Sequence, residues 1–260
     1  MTDRLESSLT GLSSATGAVA RDAVVRSIDA PVTLVGATGR ASSARRDGDL
    51  RTVATAVAAL AGYVRLREDL LEGRYETARE RDLALLASDH LHATAHETIA
   101  DADLPVDRQL ACYRLLTNGS QSLASTLFTA AETRPDETTI DRRRRPRAVL
   151  AATGGALGAA AAGGTDEVVS AASTYGESVA AAADLACRST DSSEAFETLR
   201  RALDGDRLAR EDAPVAADTT ETEIDRHLER ARDVVSVLPA SPARTRLERA
   251  IRTFTPERRE

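Results

Sequence analysis

The sequence predicts an all-α fold. Aromatic residues make up only 3% of the chain, while Ala, Leu, Arg and Glu, which favour helices, dominate it. Apolar residues recur at three- and four-residue spacing and seldom alternate as they would along a strand. The length of 260 residues suits one large domain, and no repeat typical of a helical solenoid is present. We therefore expect one all-α domain covering residues 1–260.

Turn residues divide the chain into elements. Asp47-Gly48 precedes the long apolar run from residue 49, and Arg134-Pro135 follows the helix predicted over 106–131. Gly163-Gly164 ends a stretch rich in Ala and Gly, 148–164, whose small side chains let neighbouring helices approach closely. The predicted helices span residues 3–22, 24–37, 49–73, 80–100, 106–131, 147–163, 166–188, 193–204, 220–237 and 241–254.

The C-terminal part is predicted as a loop and further helices. Asp204-Gly205 opens a loop over residues 205–219, and residues 220–260 contain the C-terminal helices. Ser241-Pro242 fits a helix N-cap followed by proline at the first helical position.

Composition limits the environment and the partners. The net charge is -7, and all 34 basic residues are Arg. A lysine-free, acidic, Ala-rich chain is typical of cytoplasmic proteins of halophilic organisms. The acidic balance argues against a nucleic-acid partner. No stretch is apolar and long enough to span a membrane, the N-terminus has no apolar signal core, and Cys112 and Cys187 fit reduced thiols.

An acidic cluster occurs in the stretch LREDLLEG, residues 66–73. Glu68, Asp69 and Glu72 have the spacing i, i+1, i+4, which places carboxylates on one side of a helix. Carboxylate oxygens are the ligands that hard divalent cations such as Mg²⁺ prefer. An acidic, solvated helix end is the alternative interpretation, and it stays open at this point.

Four segments, in chain order, resemble the trans-isoprenyl diphosphate synthases, also called polyprenyl synthetases. AVAALAGYVRLREDLLE (56–72) aligns with their helix ending in Asp-Asp-x-x-Asp, and LLASDHLHATAHE (85–97) with the helix after it. ALGAAAAGGTDEVVSAASTYGESVAAAADL (156–185) and HLERARDVVSVLPASPARTRLERAIRTF (227–254) are similar to later family segments. The four segments follow the family's order and together span residues 56–254, about three quarters of the chain.

The resemblance implies an isoprenoid-synthase fold, a bundle of antiparallel helices around a deep apolar cavity, and usually a dimer. In that family two facing Asp-rich motifs hold Mg²⁺ ions, which bridge an allylic diphosphate that isopentenyl diphosphate attacks after ionisation. The resemblance makes Glu68, Asp69 and Glu72 candidate metal ligands. Each glutamate carries one methylene more than the family's aspartate, which displaces its carboxylate.

The second Asp-rich motif is almost lost. It falls on residues 187–191, where only Asp191 keeps an acidic group and Arg188 places a cation among the expected ligands.

The family's diphosphate-binding Lys-Thr pair falls on Pro146-Arg147, so Arg145 and Arg147 are the candidate diphosphate ligands. The N-terminal Gly-Gly-Lys-Arg element is reduced to Arg26 and Pro31.

Two further clusters have alternative interpretations. The run DRRRRPRAVL (141–150) would bind phosphate or an acidic partner, or form a basic connection before a helix. Asp89, His92 and His96 share one helix side and are conceivable metal ligands, whereas partly buried or interface histidines, His90 included, are the favoured interpretation.

These observations lead to a hypothesis about function. We expect a non-catalytic polyprenyl synthetase-like protein, acting as a partner or regulatory subunit or as an isoprenoid-binding protein. The alternative is a divergent Mg²⁺-dependent prenyltransferase that condenses isopentenyl diphosphate with an allylic diphosphate, and a weaker one is an unrelated helical adaptor. The expected assembly is a homodimer, or a heterodimer with an active prenyl diphosphate synthase.

Overall fold

The computed structural model describes residues 12–27, 30–42, 50–132, 139–186, 192–204 and 218–254. These residues form ten helices and no strand, which confirms the predicted all-α class. The helices are α1 (Ser14–Val25), α2 (Ala30–Ser42), α3 (Leu50–Leu71), α4 (Ala78–Ala100), α5 (Val106–Glu132), α6 (Thr139–Ala161), α7 (Asp166–Ala186), α8 (Ser192–Asp204), α9 (Asp218–Val235) and α10 (Pro242–Thr253).

The structure corrects several predicted helix boundaries. The helix predicted to end at residue 37 ends at Ser42, and the described part of the helix predicted over 3–22 begins at Ser14, after the N-cap Ser13.

The helix predicted to begin at residue 147 begins at Thr139, so Pro146 lies inside α6 and the backbone of residues 141–150 is helical. The interpretation of this stretch as a connector is therefore wrong. Pro146 is buried, and this burial offsets part of the local cost of an interior proline, about 3 kcal/mol. The helix predicted over 24–37 begins instead at Ala30, because Pro31 fits a first helical turn.

Other boundaries agree with the sequence. The Ser241 hydroxyl accepts a hydrogen bond from the Arg244 backbone N–H, and Pro242 opens α10, which confirms the predicted cap. The predicted loop over 205–219 falls mostly outside the described residues, as does most of the N-terminal half of the helix predicted over 3–22.

Helix α6 lies at the centre of the bundle, since it contacts α2, α3, α5 and α7. One apolar core contains residues of all six helices from α1 through α6. A second core contains residues of α2, α6, α7 and the three C-terminal helices. Tyr175 of α7 ties the second core together, because its buried hydroxyl donates to the carbonyl of Leu247 in α10 at 2.9 Å.

Glycines let α6 touch its neighbours backbone to backbone. A side chain at Gly158 would overlap the carbonyl oxygen of Val35 in α2, and one at Gly155 would overlap that of Ala172 in α7. Thr38 adds a cross-helix bond, since its hydroxyl donates to the Gly155 carbonyl at 2.9 Å. The bundle is therefore tightly closed around α6.

The C-terminal end of α3 lies beside the start of α2 and the first buried turns of α6. This is the end that carries the acidic cluster. Among the described residues, no helix is both long and apolar enough to cross a membrane.

Candidate functional site

Asp69 lies at the last turn of α3 and is only 4% exposed. Its Oδ2 is 3.3 Å from Nε of Arg65, one turn earlier on the same helix. Its Oδ1 is 3.2 Å from Nε of Arg74, which follows the helix. Both carboxylate oxygens of Asp69 therefore face guanidinium groups of the chain itself.

Glu72 shares the second of these arginines. Nε of Arg74 donates to Oε2 of Glu72 at 2.7 Å, and this bond with the charge of Glu72 raises the pKa of Arg74. The turn that returns Arg74 to the helix end requires Gly73, whose φ is +69°. Arg74 thus lies between Asp69 and Glu72 and contacts one carboxylate oxygen of each.

Glu68 is in a different environment from its two acidic neighbours. Its Oε1 is buried and has no hydrogen-bond partner. Burial raises the pKa of the Glu68 carboxyl to about 7, since it disfavours the charged form more than Arg147 and Arg65 favour it. Near neutral pH this carboxyl is therefore partly protonated.

Glu68 lines a cavity of about 40 Å³ at the junction of four elements. Arg26 comes from the end of α1, Pro31 from the start of α2 and Arg147 from α6. The structure therefore brings together four residues that the sequence singled out separately. Asp69 and Glu72 do not line this cavity.

The cavity is small for an organic ligand. A volume of about 40 Å³ accommodates a few water molecules, whereas sites for small organic ligands usually measure about 300–1,000 Å³. Ala61, Val64 and Leu150 fill the adjoining space. Among the residues that the structure describes, the space beside Glu68 is therefore a small cavity and not the deep apolar one that the resemblance implies.

The remaining candidate residues of the resemblance are only partly described. The backbone of Arg145 belongs to α6, but its side chain is not among the described ones. Arg147 is half-buried. Arg188 and Asp191, which mark the second motif, also lie outside the described residues. The paired motifs therefore remain a prediction.

The histidines of α4 form an aromatic ladder with two tyrosines. Ring centroids are 5.0 Å apart between Tyr63 and His92, 4.9 Å between His92 and His96, and 5.5 Å between His96 and Tyr113. Nε2 of His96 lies 3.2 Å from Oγ of Ser120. Burial lowers the pKa of both histidines. The rings are engaged in packing, in agreement with the favoured interpretation.

Asp89, the third conceivable ligand of that set, is hydrogen-bonded to Arg67 of α3. In the part of the chain that the structure describes, no group of three or more His, Cys, Asp or Glu side chains is placed to hold a metal ion.

Sequence reasoning missed the two arginines that neutralise the acidic cluster. Arg65 stands four residues before Asp69, and this spacing is a visible signal of an ion pair on one helix. Arg74 gave no such signal, because its approach depends on the backbone turn at Gly73.

The acidic cluster of Glu68, Asp69 and Glu72 does not fit a Mg²⁺ ion in the arrangement that the structure shows. A magnesium ion in an enzyme of this chemistry needs open carboxylate oxygens and room for substrate phosphates. Asp69 and Glu72 are already paired with arginines, and Glu68 points into a cavity of about 40 Å³. No reaction step through a metal follows from this arrangement.

Comparison with known proteins gives results at the level of structure only. No family model and no curated protein matches the sequence. A geranylgeranyl pyrophosphate synthetase of the archaeon Geoglobus acetivorans superposes with a TM-score of 0.70 at 17% identity, covering 96% of this chain and 95% of that one.

Two further solved structures give similar values. A geranylgeranyl pyrophosphate synthase of Corynebacterium glutamicum, complexed with calcium and isoprenyl diphosphate, has a TM-score of 0.67 at 17% identity, covering 97% of this chain and 92% of that one. A heterotetrameric geranyl pyrophosphate synthase of mint has a TM-score of 0.64 at 13% identity, with coverages of 91% and 88%.

The chain has the fold of the trans-isoprenyl diphosphate synthases. The resemblance read from the sequence is thereby confirmed at the level of the fold, and so is the isoprenoid-synthase architecture. Within this fold, the end of α3 is where the first acidic motif was expected from the sequence, and arginines of the chain itself occupy its carboxylates.

Proposed function

We propose that this protein is a non-catalytic relative of the prenyl diphosphate synthases and acts as a cytoplasmic partner or regulatory subunit of an active one. The observation that carries the proposal is the pairing of Asp69 with both Arg65 and Arg74. A carboxylate buried beside two guanidinium groups stabilises the helix end, and their positive charge opposes the binding of a cation to the same oxygens.

The physical argument concerns charge. Ionisation of an allylic diphosphate develops negative charge on the leaving group, and metal ions placed on both sides supply the largest stabilising contribution. Here Asp69 and Glu72 form ion pairs with Arg74 of the same chain. The cavity beside Glu68 has a volume of about 40 Å³. Among the described residues this cavity leaves no room for an isoprenoid ligand, so we favour the subunit role over isoprenoid binding.

The assembly with an active enzyme has a parallel among the structural neighbours. The mint geranyl pyrophosphate synthase is heterotetrameric, which supports the proposal that this chain assembles with a different subunit.

A turnover assay tests the non-catalytic part. The purified protein is incubated at high KCl with geranyl diphosphate, isopentenyl diphosphate and Mg²⁺, and we expect no longer-chain diphosphate. High salt keeps an acidic, lysine-free protein folded. If the wild-type protein forms product and neither Glu68→Gln nor Glu72→Gln does, the alternative of a divergent prenyltransferase is established.

A binding assay tests the subunit part. The tagged chain is co-expressed with an active prenyl diphosphate synthase of the same organism, and the eluted complex is examined by mass spectrometry. We expect co-elution at a defined ratio and a changed product distribution of the synthase. Separate elution with unchanged products contradicts the subunit role even where the turnover assay is negative.

A further inference from the structure

Helix α10 concentrates positive charge in a protein that is acidic as a whole. Its twelve residues, Pro242–Thr253, include four arginines and one glutamate, whereas the net charge of the chain is -7. In α8, acids one turn away balance an arginine, since Glu197 and Asp204 both pair with Arg200. Helix α10 has too few acids for such a balance, so its charge is available to a ligand.

Two of these arginines line a groove between α10 and the C-terminal turn of α9. Arg244 and Arg252 lie on the α10 side, and Arg232 contributes from the last turn of α9. The buried side chains of Val235 and Ile251 form an apolar floor, which lowers the local dielectric and strengthens the field of the guanidinium groups. The groove therefore places three cations around one space.

Arg244 is held in place by bonds to both sides of the groove. Its Nε donates to Oε1 of Glu248 at 2.9 Å, and its Nη1 donates to the carbonyls of Ser236 and Leu238 at 3.1 Å each. These carbonyls follow the end of α9, where the helix dipole is negative and would oppose an anion. Arg244 offsets that charge. Among the described residues, only its Nη2 is left to donate to a ligand.

Arg252 lies in the last turn of α10 and is exposed. Glu248 stands four residues earlier, at a spacing that would suit a pair with Arg252, but it pairs with Arg244. No carboxylate of the described residues forms an ion pair with Arg252. The described lining of the groove thus contains three guanidinium groups and one carboxylate, a net charge of +2.

We propose that this groove binds a phosphate monoester group, with Arg232, Arg244 and Arg252 donating to its oxygens. Such a group carries a charge of about -1.5 to -2 at pH 7, which matches the net charge of the lining. Its three terminal oxygens point in different directions and accept from several guanidinium forks at once. A carboxylate has two oxygens in one plane, so it would leave part of this set of donors unused.

The size of the groove agrees with a small anionic group. Its volume of about 230 Å³ is below the roughly 300–1,000 Å³ of sites that enclose a drug-sized ligand. It holds a phosphate group with a few water molecules, each of which occupies about 30 Å³ in the liquid. The remainder of the ligand would extend into solvent past the exposed side chains of Arg232 and Arg252.

The groove is separate from the candidate site at the end of α3. It shares no lining residue with the cavity beside Glu68 and contains no member of the acidic cluster. This inference is therefore independent of the proposed function and holds for a catalytic or a non-catalytic chain.

Titration with inorganic phosphate, followed by ³¹P NMR at constant high KCl, tests the site. We expect saturable binding to the wild type, and an affinity about tenfold or more lower in Arg252→Gln and in Arg232→Gln, because each loses a charge-assisted contact. Arg249→Gln is the matched control, since Arg249 is exposed on the same helix outside the groove. It loses the same charge and should keep its affinity within about twofold. No saturable binding to the wild type, or an equal loss in Arg249→Gln, overturns the proposal.

Hydrogen exchange measured by mass spectrometry tests the location. A ligand that bridges the two helices should slow amide exchange in residues 232–254, with α4 unchanged, and Arg252→Gln should abolish this protection. Equal protection along the whole chain would be a general effect of phosphate on protein stability, and it contradicts a site in the groove.

Two further probes identify the source of the phosphate group. Glycerol 3-phosphate presents it on a small solute, and vesicles containing phosphatidic acid present it on a membrane surface. Competition of glycerol 3-phosphate with inorganic phosphate assigns a soluble ligand. Flotation of the protein with the vesicles, lost in Arg252→Gln and kept in Arg249→Gln, assigns a lipid headgroup. Either result supports binding of a phosphate monoester, and failure of both probes overturns it.

Discussion

Glu68 keeps a carboxyl group where its charge is unfavourable. Its pKa of about 7 compares with an ordinary value of 4.5, so the folded protein holds this proton more tightly than the unfolded chain. The stabilising effect of protonation is complete below pH 4.5 and is lost as the pH rises through 7. Glu68→Gln should therefore raise the free energy of unfolding at pH 8, by up to about 3 kcal/mol, with a much smaller effect at pH 5.

Thermal unfolding at the two pH values measures this difference. Glu76→Gln is the control, because Glu76 is an exposed carboxylate near the same helix end, and its effect should be small at both pH values. An equal change in stability for Glu68→Gln at pH 5 and pH 8 would show that burial does not raise the pKa of Glu68.

Asp69 should behave as a structural residue. Asp69→Asn leaves Arg65 and Arg74 beside a neutral amide at a buried position, and we expect a loss of about 1–3 kcal/mol. Glu72→Gln should cost less than about 1 kcal/mol, because its partner Arg74 is half exposed. Denaturant unfolding of both variants checks this order. Open metal-binding carboxylates would repel one another, so stabilisation by Asp69→Asn would contradict the arrangement.

At the scale of helices, α6 depends on close backbone contact. Gly158→Ala adds a methyl group against the Val35 carbonyl. The overlap should lower the free energy of unfolding by about 1–3 kcal/mol. This loss exceeds the gain in helix propensity, which is up to about 1 kcal/mol. Gly36→Ala is the matched control, because its methyl group would meet only the mobile guanidinium of Arg40, 2.9 Å away. We expect this control to gain stability, and equal losses in thermal unfolding would refute the backbone-contact explanation.

The same helix shows which elements were predictable. The small residues of 148–164 predicted close helix packing, and the contact of Gly158 with Val35 agrees with that prediction. The cap at Ser241 was predictable because it depends on adjacent residues. Pro146 was misread, since a proline often marks the first turn of a helix, whereas here the chain is helical from Thr139 and Pro146 is buried inside α6.

The candidate site was less predictable than the fold. Glu68, Arg26 and Arg147 were singled out on separate segments, and only the folded chain shows that they share one cavity. The neutralisation of Asp69 by Arg74 depends on a turn with positive φ at Gly73, which helical spacing cannot indicate. Periodic patterns report burial, whereas the approach of two side chains from irregular segments depends on the complete structure.

At the scale of the whole molecule, the fold tolerates more sequence change than a metal site does. Superposition on the Geoglobus acetivorans synthetase extends over 96% of the chain at 17% identity, because a helix bundle tolerates exchange among apolar residues of suitable volume. A metal site tolerates little exchange, since it needs open ligands at set distances. Arginines beside Asp69 therefore leave the bundle intact; under the proposed function, they also remove the open carboxylates that the chemistry needs.

The whole molecule should be more stable at high salt. Its net charge is -7, so screening weakens a net repulsion within the folded chain. Exposed ion pairs, such as Arg200 with Glu197 and Asp204, lose strength at the same time, but each contributes less than about 1 kcal/mol. We expect the melting temperature to rise by several degrees between low and molar KCl. Replacing the exposed acids Glu97 and Asp103 by their amides should flatten this rise, and a melting temperature that falls with KCl would show that ion pairs outweigh the repulsion.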